Sequence, residues 1–376
     1  MMRARVAVLS VSLVVVLTFS GLVIASRGTE EELFRSLGTL TEVVHLVLTE
    51  YVDELNQDAL SLSLDSGFVE SLDPAAAVLP AEVVEAYQKV VTGRPAYGLV
   101  LGLRLGSAAV RHAVPGSPAS TVGLQPWEVV ERVEGVNTRG RPLWQVRLEL
   151  AQRLARGEPV HLTVVDRLVD EKREVVLEPT AWTPTVASAQ DHDGVVVVHL
   201  DSLPAGAVST VRDLVPTDRP VVLDLRDLVW GEEDEAIRTA DLFATAGTLG
   251  VWRGRRAGEQ VFAADAATVT ARCPVVLVSG GTEGVGEILA AGLQRAGAVL
   301  VGQTTAGHAS HMQLIQDRDL SLWLPVAYWL RADGTPIHKK GVEPGEKVDT
   351  EGAAEGADPV LESGLELARG QLAKAA

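Results

Sequence analysis

Residues 273–313 constrain the fold more than any other stretch. Cys273-Pro274-Val275-Val276-Leu277-Val278-Ser279 is a short apolar run of the kind that forms a buried strand. Gly280-Gly281 ends it in a tight turn. Thr282-Glu283-Gly284-Val285-Gly286-Glu287 leads into a helix predicted over Ile288–Ala296, with Gly297 just past its end, where a left-handed residue stops a helix. Val299-Leu300-Val301 is a second buried strand, and the polar loop 302–311 follows. A sharp turn from strand to helix is also a place for chemistry. The helix N-terminus presents N–H groups without partners, and these can hold an oxyanion beside a nucleophile.

The same alternation begins upstream. Val195–Leu200 reads as a strand, Gly206–Leu214 as a helix, Val221–Leu225 as a buried strand running into Arg226-Asp227, and Glu232–Ala244 as a helix. Strands alternating with helices argue for an α/β layer. Leu320–Leu330 and Thr335–Val348 read as late β segments, and Thr180–Ala189 as a linker. Ahead of the linker the character differs. Leu99–Leu105, Ala108–Ala113, Val129–Val133, Val160–Val165 and Arg173–Leu177 are strand-like and separated by Gly/Pro turns, with one helix over Trp144–Ala155. Earlier still the chain is helical. Leu33, Phe34, Leu37, Leu40, Val43, Val44 and Val47 recur at helical spacing; further helices are predicted over Gln57–Ser71, stopped by Asp73-Pro74, and over Ala81–Lys89.

The N-terminus carries a membrane signal. Arg3 and Arg5 precede a run, 6–25, that holds no charge and is long enough to span a bilayer. Basic residues ahead of the run place the N-terminus in the cytoplasm and the body outside, in the periplasmic cell envelope. A cleaved signal peptide competes, with Val23-Ile24-Ala25 as its cleavage site. An uncleaved anchor is favoured, because the run is long for a signal core and lacks a clear small-x-small site. A protease-protection assay is expected to find the body digested from the extracytoplasmic side; a body shielded on the cytoplasmic side would contradict it.

Composition closes off other classes. A chain of 376 residues with 47% apolar content has material for two or three domain cores. The charge of −17, from 50 acidic and 33 basic residues, offers no basic field to draw in a nucleic acid. With one cysteine, Cys273, no intramolecular disulfide forms, and that residue is expected to be a small core side chain. His308, His311 and Glu283 lack the spacing of a metal site, no H-E-x-x-H motif occurs, and no cofactor is expected.

Several motifs carry a resemblance to known families. Val114-Pro115-Gly116-Ser117-Pro118-Ala119, Val122-Gly123-Leu124-Gln125-Pro126-Trp127-Glu128 and Val133-Glu134-Gly135 resemble a PDZ domain, with Trp127-Glu128 in place of the usual Gly-Asp. The resemblance implies binding of a peptide C-terminus by strand addition. The carboxylate loop would be Tyr97-Gly98-Leu99-Val100 and the groove edge Leu99–Leu105, where a bulky or charged change at Leu101 is expected to weaken binding. The order of segments resembles the carboxyl-terminal processing, or tail-specific, serine proteases. Tyr51-Val52-Asp53, Ser71-Leu72-Asp73-Pro74, Val222-Leu223-Asp224-Leu225-Arg226, Ala240-Asp241-Leu242-Phe243, Lys340-Gly341-Val342-Glu343-Pro344 and Asp358-Pro359-Val360-Leu361 are similar to six of that family's motifs, in order.

That family's catalytic pair is the middle serine of G-S-A-S-A-S-E-I and the lysine of a later F-G-K-G-x-x-Q. Laid on this chain, the first motif is Gly281-Thr282-Glu283-Gly284-Val285-Gly286-Glu287-Ile288, so the nucleophile position is Gly284. The second is Ala306-Gly307-His308-Ala309-Ser310-His311-Met312-Gln313; the base position is His308, and Gln313 is displaced by one residue. Thr282 and Ser279 are the nearby hydroxyls and the weak alternatives. The resemblance therefore implies an α/β plus β protein in five parts: a membrane helix over 1–27, a helical segment over 28–92, a PDZ domain over 93–180, a protease-like α/β core over 190–350 and a C-terminal helix over 351–376. The expected function is a catalytically degenerate peptide-binding scaffold or regulator, whose partners are protein C-termini, extended peptides and an active protease of the same family. The alternative is an active serine-type endopeptidase with an unconventional nucleophile.

Overall fold

The computed structural model describes residues 38–52, 55, 57–166, 171–265, 273–317, 320–350 and 356–375. The run 6–25, on which the membrane anchor rests, lies outside them; among the described residues no helix is long and apolar enough to cross a membrane. The chain divides into two compact units, Met1–Leu64 and Asp65–Ala376. In the first, a helix over 38–50 leaves Leu40, Val43, Leu46 and Val47 exposed. A helix over Gln57–Leu72 ends at Asp73, whose Oδ1 accepts the Ala75 N–H at 2.8 Å in a turn that takes the chain past Pro74.

The second unit is built around a six-stranded sheet. Its order is Glu346–Lys347, Val299–Gly302, Val275–Val278, Val221–Asp224, Val195–Leu200 and Ala187–His192, parallel except for the last strand. Successive side chains leave opposite faces of a strand. Val196, Val198 and Leu200 therefore enter one core, under the helices Ala207–Leu214, Glu233–Asp241 and Val285–Ala296. Val195 and Val197 enter the other, with Val222, Leu277 and the C-terminal helix Pro359–Ala375 through Val360, Leu365 and Ala368. Burial on both faces is why these strands read as unbroken apolar runs. Arg226 ties the C-terminal helix to the sheet. Its guanidinium donates to both oxygens of Asp358 at 2.8 Å and to Asp224 at 2.7 and 2.9 Å. Two of the motifs singled out above thus meet in one ion-paired network. Burial alone would push the Asp224 carboxyl up, but His199 and Arg226 bring it down to about 2.

Beside this layer lies an antiparallel sheet of Ala77–Leu79, Leu320–Leu330, Thr248–Gly254 and Gly258–Ala263, with Ser310–Asp317 also paired to Leu320–Leu330. Its anchor is the fully buried Trp329, set edge-on to Trp252 at 5.1 Å between ring centroids. The third sheet belongs to the smaller β region. It runs Leu99–Arg104, Ser107–Ala113, Val129–Val133, Val160–Asp166 and Glu171–Leu177, with Val136–Asn137 beside Val129–Val133. The helix Leu143–Ala155 buries Val146 and Leu150 in the same core as Leu99 and Leu101. Leu99–Arg104 is an edge strand, paired on one side only among the described residues. Trp127 takes a φ of +72°, where the resembled pattern has glycine. Left-handed backbone costs a non-glycine residue about 1–2 kcal/mol; the ring is offset by the Arg111 guanidinium stacked 3.9 Å over it.

Several expectations need correction. Thr180–Ala189 is not wholly a linker, because Ala187–His192 forms the antiparallel edge strand. That strand is exposed and polar, so no apolar alternation announces it. The hairpin Thr248–Ala263 escaped notice for a similar reason, its second strand being mostly exposed. Thr335–Val348 is mostly turn rather than β; only Glu346–Lys347 and a single bridge from Pro336 to Leu330 pair. Lys339 and Gly341 both sit in the left-handed region there. A Cβ on Gly341 would stand 2.3 Å from the Thr305 carbonyl oxygen, so only glycine lets this turn approach the loop that holds His308.

Candidate functional site

The site lies where Val275–Val278 gives way to the helix Val285–Ala296. Two hydroxyls build the turn. Thr282 is fully buried; its Oγ1 donates to the Leu225 carbonyl at 2.8 Å and accepts the Ser279 N–H at 3.1 Å. Ser279 Oγ donates to the Arg226 carbonyl at 2.8 Å and accepts the Gly281 N–H at 3.0 Å. Both weak nucleophile candidates are thus committed to fastening the turn to the end of the Val221–Asp224 strand.

Gly284 precedes the first turn of the helix with φ +55° and ψ −107°. This is a backbone that L-residues adopt only under strain. A Cβ there would meet nothing nearer than the Val229 carbonyl oxygen at 3.9 Å, so space for a side chain exists and the side chain does not. The Gly284 N–H is already bonded, to Glu287 Oε2 at 3.2 Å.

Glu287 organises both motifs. It is fully buried and accepts four hydrogen bonds: from Gly284 N–H, from Thr305 Oγ1 at 2.5 Å, from Gly307 N–H at 2.6 Å and from His308 N–H at 2.6 Å. Burial pushes its carboxyl above the ordinary carboxylate range, and the four donors offset only part of that rise. Every partner is a donor, so the ionised form is the one the site accommodates. In this way the loop bearing the base position is clamped to the helix bearing the nucleophile position.

His308 does not point toward a hydroxyl. Its Nδ1 pairs with Glu283 Oε1 at 2.8 Å, and the carboxylate raises the affinity of the ring for a proton. Glu283 is also gripped by Arg111, through Nε at 2.8 Å and through Nη2. Burial alone would raise the Glu283 carboxyl, but His308 and Arg111 together hold it below the ordinary carboxylate range. Arg111 comes from the strand Ser107–Ala113 of the smaller β region, 172 residues earlier in the chain. Arg111, Glu283 and His308 thus form one ion-paired chain beside the turn. His311 faces elsewhere, with Nδ1 on Glu233 at 2.8 Å, and Gln313 lies exposed on the strand Ser310–Asp317. Neither joins His308. Cys273 donates its thiol to the Ala296 carbonyl at 2.9 Å. Arg111 and Glu287 were not singled out from the sequence. Glu287 had a local signal, since a glutamate three residues after a helix N-cap can reach back to the N-cap N–H, the half of a capping box that Gly284 permits; Arg111 had none, because its partner is so distant.

A groove of about 610 Å³ runs from the edge of the small β sheet to the α/β core. Leu99, Val100, Leu101, Arg147 and Leu150 line it from one side, and Trp230, Glu232, Glu233, Asp234 and His311 from the other. Tyr97 and Gly98 turn the chain into the edge strand with φ of +55° and +73°. Tyr97 is buried, and its hydroxyl donates to the Glu158 carbonyl at 2.6 Å. Gly98 N–H is bonded to the Pro95 carbonyl and Leu99 N–H to that of Ala96, so these two donors serve the turn itself. Leu101 is 2% exposed and its side chain sits in the core. A charged residue there would unfold the region rather than probe the groove, contrary to the expectation above. Arg147 Nη2 donates to the Leu101 carbonyl at 2.5 Å, placing a cation at the edge.

Comparison with known proteins places this geometry. Residues 197–348 match peptidase family S41. A carboxy-terminal processing protease of Bacillus subtilis is 25% identical over 324 residues, covering 82% of this chain and 68% of that protein. A carboxy-terminal-processing protease of Bartonella bacilliformis is 24% identical over 333 residues, covering 85% of this chain and 76% of that protein. Among solved structures, the photosystem II D1 C-terminal processing protease superposes with a TM-score of 0.64 at 18% identity, over 85% of this chain and 89% of that one, which establishes a shared fold.

Proposed function

Because the chain belongs with the carboxyl-terminal processing serine peptidases, and glycine stands at their nucleophile position, we propose that it binds protein C-termini without hydrolysing them. The observation that carries this reading is Gly284: the strained turn and the helix N-terminus remain, but no side chain projects into the space beside them. The base position supports it. A histidine tied to a carboxylate that is itself tied to arginine has no hydroxyl to activate. The alternative, hydrolysis through Ser279 or Thr282, requires a hydroxyl already engaged in the turn to leave it.

Binding is the function left to the groove. Its edge strand, which among the described residues has no second strand beside it, suits addition of an extended peptide in the manner of a PDZ domain once Arg147 yields the Leu101 carbonyl. A few main-chain hydrogen bonds and one or two apolar contacts supply an affinity on the order of micromolar. The protein then acts as a scaffold or regulator, presenting bound C-termini to a partner such as an active peptidase of the same family, and residues 6–25 tether it to the membrane with its body outside. Calorimetry of the full chain against peptides with apolar C-termini is the test. Binding is expected with a free carboxylate and loss of it on amidation, with the peptide recovered uncut. The absence of binding across a library of such peptides would leave the reading without support.

A further inference from the structure

The groove has two electrostatic poles, and they select a more definite ligand than an apolar C-terminus. At the pole by the edge strand, Arg147 places its guanidinium on the Leu101 carbonyl beside the apolar Leu99 and Leu150. Across the groove, Glu232, Glu233 and Asp234 stand together at the start of the helix Glu233–Asp241, next to the half-buried Trp230. Glu233 is paired with His311. Glu232 and Asp234 are exposed and, among the described residues, their carboxylates have no ion-pair partner. The chain is held there, since the Leu203 N–H donates to the Trp230 carbonyl at 3.0 Å and the Glu232 N–H to the Leu203 carbonyl at 2.7 Å.

We propose that the occupant of this groove is a peptide C-terminus carrying a lysine or arginine within its last few residues, the cationic side chain facing Glu232, Asp234 and the Trp230 ring. The inference rests on the C-terminus-binding reading above and adds its selectivity. Charge complementarity decides it. The ligand carboxylate has a cation to approach at Arg147, and a basic side chain has two uncompensated carboxylates and an aromatic face at the opposite wall. An acidic residue at the same point would meet like charge and be rejected. The contacts are at the rim of an open groove, so the preference is set by water-screened interactions and is moderate rather than absolute.

The test is fluorescence anisotropy of the full chain with four peptides sharing one apolar C-terminus: a basic residue upstream, alanine in its place, glutamate in its place, and the basic peptide with an amidated end. The basic peptide is expected to bind about fivefold tighter than the alanine peptide, and the glutamate peptide more weakly than either. The double variant Glu232→Gln, Asp234→Asn should erase that advantage, so that the basic and alanine peptides bind it with equal affinity; an advantage that survives in the variant would overturn the assignment of these two carboxylates. If the basic and alanine peptides bind equally well and the amidated basic peptide does not bind, the selectivity is overturned and C-terminus binding stands. If none of the four binds, both readings fall.

Discussion

The double variant Gly284→Ser, His308→Lys is expected to hydrolyse no faster than background, and the triple variant that adds Glu283→Ala to rise above it. Restoring the two residues of the family's dyad is not enough here. A lysine at 308 would take the place of the imidazole against Glu283 Oε1, 2.8 Å from the present Nδ1. Paired with that carboxylate, an ammonium holds its proton, whereas a general base must be neutral. The family has alanine where this chain has Glu283, and the structure shows why that matters. A serine at 284 also enters a backbone that costs a side chain about 1–3 kcal/mol, although no neighbouring atom obstructs it. Catalytic residues that act as a unit are strongly non-additive, so each single change should leave peptide turnover at background. Single-turnover assays of the three single variants, the double and the triple decide this. A double variant as active as the triple would show that Glu283 does not suppress the base.

Glu287→Ala is expected to be the most destabilising single change at the site, by about 3–5 kcal/mol. The cost is not the loss of one contact. Four donors converge on this buried carboxylate, and three of them are main-chain N–H groups, of Gly284, Gly307 and His308. Removing it takes away the acceptor of all three, and of the Thr305 hydroxyl, at a largely buried position. Glu287→Gln keeps the volume but aims an NH2 group at N–H donors, so it should lose a smaller share of the same stability. Urea unfolding followed by tryptophan fluorescence measures both. A change below about 1 kcal/mol for the alanine variant would mean that water replaces the carboxylate and that the clamp between the two motifs is not needed.

How much of this was legible follows from where each element lies. Val195–Leu200, Val221–Asp224, Val275–Val278 and Val299–Gly302 were readable because a parallel sheet covered on both faces leaves apolar runs in the sequence. Ala187–His192 and Gly258–Ala263 were not, since exposed edge strands need no such pattern. The vacancy at Gly284 and the histidine at 308 could be read from their motifs. What stands beside them could not. Glu283 looks like an ordinary helix-start residue until Arg111 arrives from another sheet. Leu101 shows the opposite failure. Its place on the edge strand was foreseen, but its face was misjudged: Leu99, Leu101 and Leu103 alternate with Val100, Gly102 and Arg104, and that apolar face is the one that turned inward.

The most direct measurement is mass spectrometry of a peptide with a basic residue near an apolar C-terminus, held at saturating concentration with the full, unmodified chain. The account predicts a bound peptide recovered at its original mass, however long the incubation. Shorter products that vanish with His308→Ala or Thr282→Ala would contradict it and establish hydrolysis through a nucleophile other than residue 284.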